Sequence, residues 1–141
     1  MSKSPSAAQL EANKEVVKSL MKRLFDPATG NSEETRRLMT PEYIQHNPNF
    51  ADGPDAIMGF LKTAKAREIL ETVKFAGEPL VIAEGDYVMM MQPVYRPIPD
   101  RPSETFISFW FDLWRMENGR AAEHWDYADW DPEMAGNLPG K

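Results

Sequence analysis

Apolar side chains recur at helical spacing early in the chain: Leu10, Val17, Leu20, Met21, Leu24 and Phe25 would share one face of a helix. Ser6 with Gln9 reads as a capping box at its start, and Asp26-Pro27 through Gly30-Asn31 as its end. Ser32-Glu33-Glu34 opens a short second helix that stops before Pro41, and Tyr43–Asn47 reads as a short strand ended by Pro48. Gly53-Pro54-Asp55 enters a third helix with proline at its first position, and Ile57, Phe60, Leu61 and Ala64 form the apolar face.

Beyond Glu71 the period changes to two. Residues 72–83 and 86–95 predict strands joined at Gly85. Prolines 93, 97, 99 and 102 predict a stiff excursion outside any central ladder, because proline has no N–H to donate. Residues 103–116 and 120–130 predict a hairpin around Glu117-Asn118-Gly119. Helices followed by strands give an α+β fold, three N-terminal helices on the concave face of a curved, mostly antiparallel sheet of four to six strands.

Two hairpin turns compete. A two-residue Asn118-Gly119 loop pairs Glu117 with Arg120 and sets Asp112 opposite Trp125. A three-residue loop pairs Met116 with Arg120, so that Asp112 faces His124, Trp110 faces Asp126 and Ser108 faces Ala128. Phe111–Trp125 and Phe109–Tyr127 then fall on the other face. The second register sorts polar from aromatic side chains better and is the one expected, since a slip of one residue exchanges the faces.

A net charge of −6 counts against nucleic-acid binding, which needs a basic face. The absence of cysteine excludes disulfides and thiolate chemistry, and two histidines leave no obvious metal set. No phosphate-binding glycine loop, Gly-x-Ser-x-Gly elbow or helical histidine pair occurs. No apolar run approaches the ~18 residues that span a bilayer. These features predict one cytoplasmic domain over residues 1–141 with loose ends at 1–8 and 133–141.

Tyr43-Ile44-Gln45-His46-Asn47-Pro48, Ala51-Asp52-Gly53, Ala83-Glu84-Gly85-Asp86, Asp112-Leu113-Trp114-Arg115, Gly119-Arg120 and Glu123-His124-Trp125-Asp126 follow one another in an order that resembles the SnoaL-like branch of the nuclear-transport-factor-two-like superfamily. The resemblance spans about residues 10–132. It implies a cone-shaped α+β fold with an apolar pocket between helices and sheet, and relatives that include cyclases, isomerases, dehydratases, hydrolases and binding modules. Most of those enzymes use no metal or organic cofactor, and none is expected here. Asp112 matches the aspartate that, in ketosteroid isomerase, lines the oxyanion hole as a neutral acid. That enzyme's basic aspartate precedes a proline; Asn47 stands there in this chain, leaving His46 as the nearest base. Its helical tyrosine aligns with Leu20, so the resemblance does not extend to that reaction. Trp125 and Asp129 fit the Trp-x-x-x-Asp spacing of SnoaL-type cyclases, with a local bulge needed to turn Asp129 inward. Met89-Met90-Met91-Gln92 stands where many close relatives carry a histidine.

The expected chemistry is therefore acid–base work on a bulky, aromatic or polyketide-like molecule: aldol or retro-aldol reaction, cyclisation, isomerisation or elimination. His46 is the expected base, Asp112 the neutral donor, and Asp126 with His124 the proton relay. Tyr43, Phe60, Met90, Gln92, Trp110, Trp114 and Asp129 are the expected substrate contacts. Bland alternatives stand beside these roles. His46 could be a structural strand-end histidine, Asp112 could pair with Arg96 or Arg101, and the acids from Glu123 to Glu133 could form a solvated end. At the level of function, the alternatives are a binding module of the same fold and an epoxide or ester hydrolase. The face carrying Phe109, Phe111, Trp125 and Tyr127 is too apolar for water and predicts a homodimer through the sheet.

Overall fold

Ser6 caps the first helix, α1 (Ala7–Leu24), by accepting a hydrogen bond from the Gln9 N–H at 3.2 Å. Gln9 does not close the expected box; its amide reaches forward to Asn13 Oδ1 at 3.1 Å. The computed structural model describes residues 4–136 and 138. Val17, Leu20 and Met21 form the buried stripe of α1. Ser32 caps the short α2 (Glu33–Arg36), and β1 (Met39–Gln45) follows.

The expected third helix is two: α3 (Pro54–Phe60) and α4 (Ala64–Thr72). Thr63 breaks it by accepting from the Ala66 N–H and starting a new cap. The strand expected over residues 72–83 is also divided, into β2 (Lys74–Phe75) and β3 (Leu80–Glu84), with Gly77 and Pro79 between them. β4 (Tyr87–Ile98), β5 (Arg101–Glu117), β6 (Arg120–Asp126) and a short α5 (Pro132–Ala135) complete the described chain. Of the ends expected to be loose, Ala7 and Ala8 open α1 and Glu133–Ala135 belong to α5. Residues 1–3, 137 and 139–141 lie outside the described residues.

The six strands form one curved sheet in the order β1-β6-β5-β4-β2, with β3 also on β4 and a single parallel pair, β1–β6. Pro93 and Pro97 sit inside β4 after all, paired with Phe109 and Thr105. The Pro93 carbonyl accepts from Ala76 on the outer side of β4. A strand residue points its N and its C=O to the same side, so the missing N–H costs no bond to β5. Pro97, four residues on, has the same orientation and lies beyond the end of β2.

Neither hairpin reading survives whole. The turn is the two-residue one: Asn118 (φ 51°) and Gly119 (φ 75°) both take positive φ, and Glu117 pairs with Arg120. Met116 pairs with Ala121, but Arg115 pairs with Glu123, so Ala122 is an extra residue, a bulge. Ala121 and Ala122 are both buried as a result. The bulge shifts the ladder once more, so Asp112 faces Asp126, Leu113 faces Trp125 and Trp114 faces His124. The expected partners are therefore wrong. The turn moves side-chain parity by one residue and the bulge moves it back, so the expected face sorting is nevertheless produced.

The core lies between α1, α3 and the concave face of the sheet. Val17, Leu20 and Met21 meet Met39, Tyr43, Met58, Val88, Met90, Trp114, Met116 and Ala121 there. Burying a side chain of this size stabilises by about 1.5–3 kcal/mol.

Candidate active site

Successive residues of a strand point to opposite faces, and this alternation builds the site. On the concave face β5 supplies Asp112, β6 supplies His124 and Asp126, and the end of β1 supplies Gln45 with Asn47 just beyond it. Asp112 and His124 are each only 7% exposed. His124 Nε2 lies 2.9 Å from Asp112 Oδ1, and its Nδ1 lies 3.0 Å from Gln45 Oε1. The imidazole stacks on the Trp114 indole, centroids 4.8 Å apart. Asp112 thus pairs with an imidazole across the sheet, and neither Arg96 nor Arg101 is its partner.

Asn47 ties the second carboxylate to the first pair. Its backbone N–H donates to Gln45 Oε1 at 3.1 Å, and its side-chain amide donates to Asp126 Oδ2 at 3.0 Å. A continuous chain therefore runs Asp112–His124–Gln45–Asn47–Asp126. Asp126 Oδ1, the other oxygen, is buried with no hydrogen-bond partner among the described residues. Burial pushes the Asp126 carboxyl above its ordinary range, and Asp112 adds to the shift; His124 and the Asn47 amide oppose it. Tyr43 is nearly fully buried, and burial raises its hydroxyl well above the usual range. The neighbouring Asp112 and Asp126 charges push it the same way, and the Trp114 indole opposes them.

Contrary to the expectation of no ligand set, Asp112, His124 and Asp126 place ligand atoms within 4.8 Å of one another, a spacing that could hold a metal ion. Two of those three groups are already bonded to each other, and the third is held by Asn47.

His46 does not join this cluster. It lies one residue past Gln45 on the opposite, convex face, donates its backbone N–H to His124 O at 3.0 Å and stacks flat on Trp125 at 4.6 Å. Its Nε2 lies 2.7 Å from Glu123 Oε1, and the other Glu123 oxygen accepts from Arg115 Nε at 2.8 Å. Arg115 first, then His46, holds the Glu123 carboxyl below its ordinary range. Asp129 also falls outside: β6 ends at Asp126, and Asp129 is exposed, accepting from the Tyr127 hydroxyl at 2.9 Å. No bulge turns it inward.

The expected contacts divide. Met90, Trp114 and Tyr43 are core residues with the site's polar atoms beside them. Gln92 is pinned by its amide nitrogen to Gly77 O and Pro93 O, at 2.9 and 3.0 Å. Trp110, one pair along β5 from Asp112, closes the concave face with Phe25 and Phe75, centroids 5.5 and 6.4 Å away. Phe60 packs edge-on against Phe50.

A family model described as a SnoaL-like domain matches residues 22–124. The chain belongs to the SnoaL-like family. No curated protein matches it. Among solved structures, this SnoaL-like protein is similar to an NTF2-like protein from Burkholderia xenovorans LB400, with 16% identity, TM-score 0.60, and 90% and 95% of the two chains covered. A putative polyketide cyclase from Bacillus cereus ATCC 10987 matches with 14% identity, TM-score 0.64, and 94% and 85% coverage. An LEH-like epoxide hydrolase of M. tuberculosis matches with 15% identity, TM-score 0.57, and 86% and 85% coverage. At these identities the likeness establishes the fold.

Sequence reasoning about this SnoaL-like chain missed Gln45 and Asn47, the two residues that join its carboxylates. The available signal was alternation: in Tyr43-Ile44-Gln45-His46-Asn47 the odd positions share a face, so Gln45 and Asn47 go with Tyr43 and His46 does not. Asp52 supports the same strand end by accepting from the Gln45 N–H at 2.9 Å. Nearby, the Gly53 N–H donates to Tyr43 O at 2.6 Å from a backbone with φ 90°, a conformation suited to glycine.

Proposed function

We propose that this SnoaL-like protein is an acid–base enzyme without cofactor, acting on a bulky, aromatic or polyketide-like small molecule. The observation that carries the reading is the free oxygen of Asp126: a buried carboxylate oxygen with no hydrogen-bond partner among the described residues, at the end of a hydrogen-bonded chain. Unsatisfied buried acceptors are costly, and a reacting group that arrives with a proton satisfies one. Asp126 replaces His46 as the base. Its raised affinity for a proton makes it a stronger base than an ordinary carboxylate.

Asp126 Oδ1 removes a proton from the carbon beside a substrate carbonyl, and the C–H electron pair moves into that carbonyl to give an enolate. The enolate oxygen takes its hydrogen bonds from the Tyr43 hydroxyl and from the acid proton of Asp112, which leaves its contact with His124 Nε2 to bond the enolate. The enolate then attacks a second carbonyl carbon to form a carbon–carbon bond, with the new alkoxide taking the proton back from Asp126, or it takes that proton at a new carbon; the first course run in reverse breaks the carbon–carbon bond. Trp110, Phe25 and Phe75 supply an aromatic boundary for a flat ligand. Likeness to a putative polyketide cyclase agrees with this class of substrate.

A second reading has its own support. The same free oxygen, beside the Asn47 amide, could hold and deprotonate a water for attack on an epoxide, and an LEH-like epoxide hydrolase shares the fold. Reaction in labelled water separates the two. Carbon-acid chemistry exchanges a substrate C–H with solvent deuterium, whereas hydrolysis incorporates solvent oxygen-18. A protein that does neither with any aromatic carbonyl or epoxide, yet binds such molecules, is a binding module.

We also propose a homodimer through the convex face. Phe109, Phe111, Ile82 and Tyr87 are about half exposed there, a patch that soluble monomers seldom present.

A further inference from the structure

We infer that Gln45 is a positioning residue that fixes the tautomer of His124, so that the imidazole always carries its proton on Nδ1 and the mobile proton is the one shared between Nε2 and Asp112. The catalytic consequence rests on the acid–base reading above; the tautomer does not.

The oxygen and nitrogen of a side-chain amide differ in what they can do: the oxygen accepts and the nitrogen donates. Gln45 is 2% exposed, and one end of its amide receives the Asn47 backbone N–H at 3.1 Å. A backbone N–H can only donate, so that end is the oxygen; turning the amide over would set two donors against each other. The same Oε1 lies 3.0 Å from His124 Nδ1. An oxygen that already accepts can accept a second bond and cannot give one, so Nδ1 must carry hydrogen. On the far side of the ring, Nε2 lies 2.9 Å from Asp112 Oδ1. Only two arrangements satisfy that contact: a neutral imidazole receiving the carboxylic acid proton of Asp112, or an imidazolium donating to the carboxylate. They differ by the place of one proton along one bond. Gln45 thereby removes the alternative in which neutral His124 donates from Nε2 and leaves Nδ1 bare, a form in which Asp112 could hold no proton to donate through that contact.

Gln45 is placed to do this by β1. Its Cα is paired with His124 in the parallel β1–β6 ladder, and Asp52 Oδ1 holds its own N–H at 2.9 Å. The Asn47 that certifies the orientation of the amide is also the residue that holds Asp126, so the imidazole and the second carboxylate are set from one side-chain oxygen.

The test is nitrogen-15 NMR of histidine-labelled full-length protein near neutral pH, with His46→Gln used to assign the two imidazoles. In wild type the His124 Nδ1 resonance should show a bound proton. In Gln45→Leu that proton should be lost from Nδ1 and appear on Nε2, while Gln45→Glu, which still accepts, should keep the wild-type pattern. A bare Nδ1 in wild type, or an unchanged Nδ1 proton in a folded Gln45→Leu, overturns the inference. The wild-type spectrum decides the tautomer even where the leucine variant does not fold. With a substrate in hand, Gln45→Leu should lower kcat with KM little changed, and Gln45→Glu should restore much of it. The predicted spectra with no such loss of kcat would leave the tautomer standing and overturn the positioning role, and with it the acid–base reading of the Asp112–His124 pair.

Discussion

The chain has two histidines, and each meets a carboxylate across neighbouring strands. His124 meets Asp112 at 2.9 Å on the concave face; His46 meets Glu123 at 2.7 Å on the convex face. The shorter contact belongs to the pair with less opportunity for chemistry. His46 has 41% of its side chain in solvent, and Glu123 is also bound by Arg115, so charge on that face is neutralised and hydrated. The His124 pair is buried against Trp114, joined through Gln45 and Asn47 to Asp126, and leaves one oxygen without a partner. Glu123 and His124 are adjacent residues, so alternation along one strand separates the two environments. Distance alone does not mark a site; burial and an incomplete hydrogen-bond network do.

The comparison breaks most readily at Asp126. Asp126→Asn cannot accept a proton and should lose roughly 10²–10⁴ in kcat, the usual worth of a general base, as measured by steady-state turnover. Asp112→Asn keeps shape and some donor capacity, and should lose roughly 10²–10³ with substrate affinity nearly unchanged. If both variants turn over normally, the concave cluster is structural.

On the convex face the expected effect is on assembly. Phe109→Lys with Phe111→Lys places two charges in the exposed patch and should shift sedimentation from dimer to monomer at micromolar concentration, with turnover reduced only as far as assembly supports the fold. A wild-type monomer at that concentration would show that this face is not covered by a second copy.

The face sorting was legible in the sequence because it depends on parity alone. Asp112, His124 and Asp126 reach one side whether the turn has three residues or has two followed by a bulge at Ala122. The partners were not legible, because nothing local in Arg120-Ala121-Ala122 announces a bulge. It forms because both alanines find room in the core, which is a tertiary fact. His46 was misplaced for a different reason: chemical type outweighed alternation, and the short polar strand end of Gln45 and Asn47 looked inert. The division of the third helix at Thr63 is a local cap competing with a continuous apolar pattern. The order of helices before strands, by contrast, follows from periodicity and from little else.

A smaller effect concerns stability. The folded chain holds the Asp126 proton more tightly than the unfolded chain does, so this group favours folding most below the ordinary carboxylate range. That contribution is lost as pH rises through the raised value, leaving a poorly solvated charge above it. Asp126→Asn should therefore melt slightly higher than wild type at neutral pH, with the gain fading in acid; a gain largest in acid would reverse the sign of the shift. The smallest expected effect is that of chelation. Three ligand atoms within 4.8 Å make the question real, and exhaustive EDTA treatment should leave turnover unchanged. Reversible loss restored by one divalent ion would make the cluster a metal centre.

Turnover of one identified substrate by variants of the two histidines decides whether chemistry belongs to the concave pair. His46→Ala should stay within about threefold of wild-type kcat/KM, since it removes a group outside the reacting network, whereas His124→Gln should lose about 10² or more, the lower end of an acid–base contribution. A large loss in His46→Ala with His124→Gln near wild type would contradict the account.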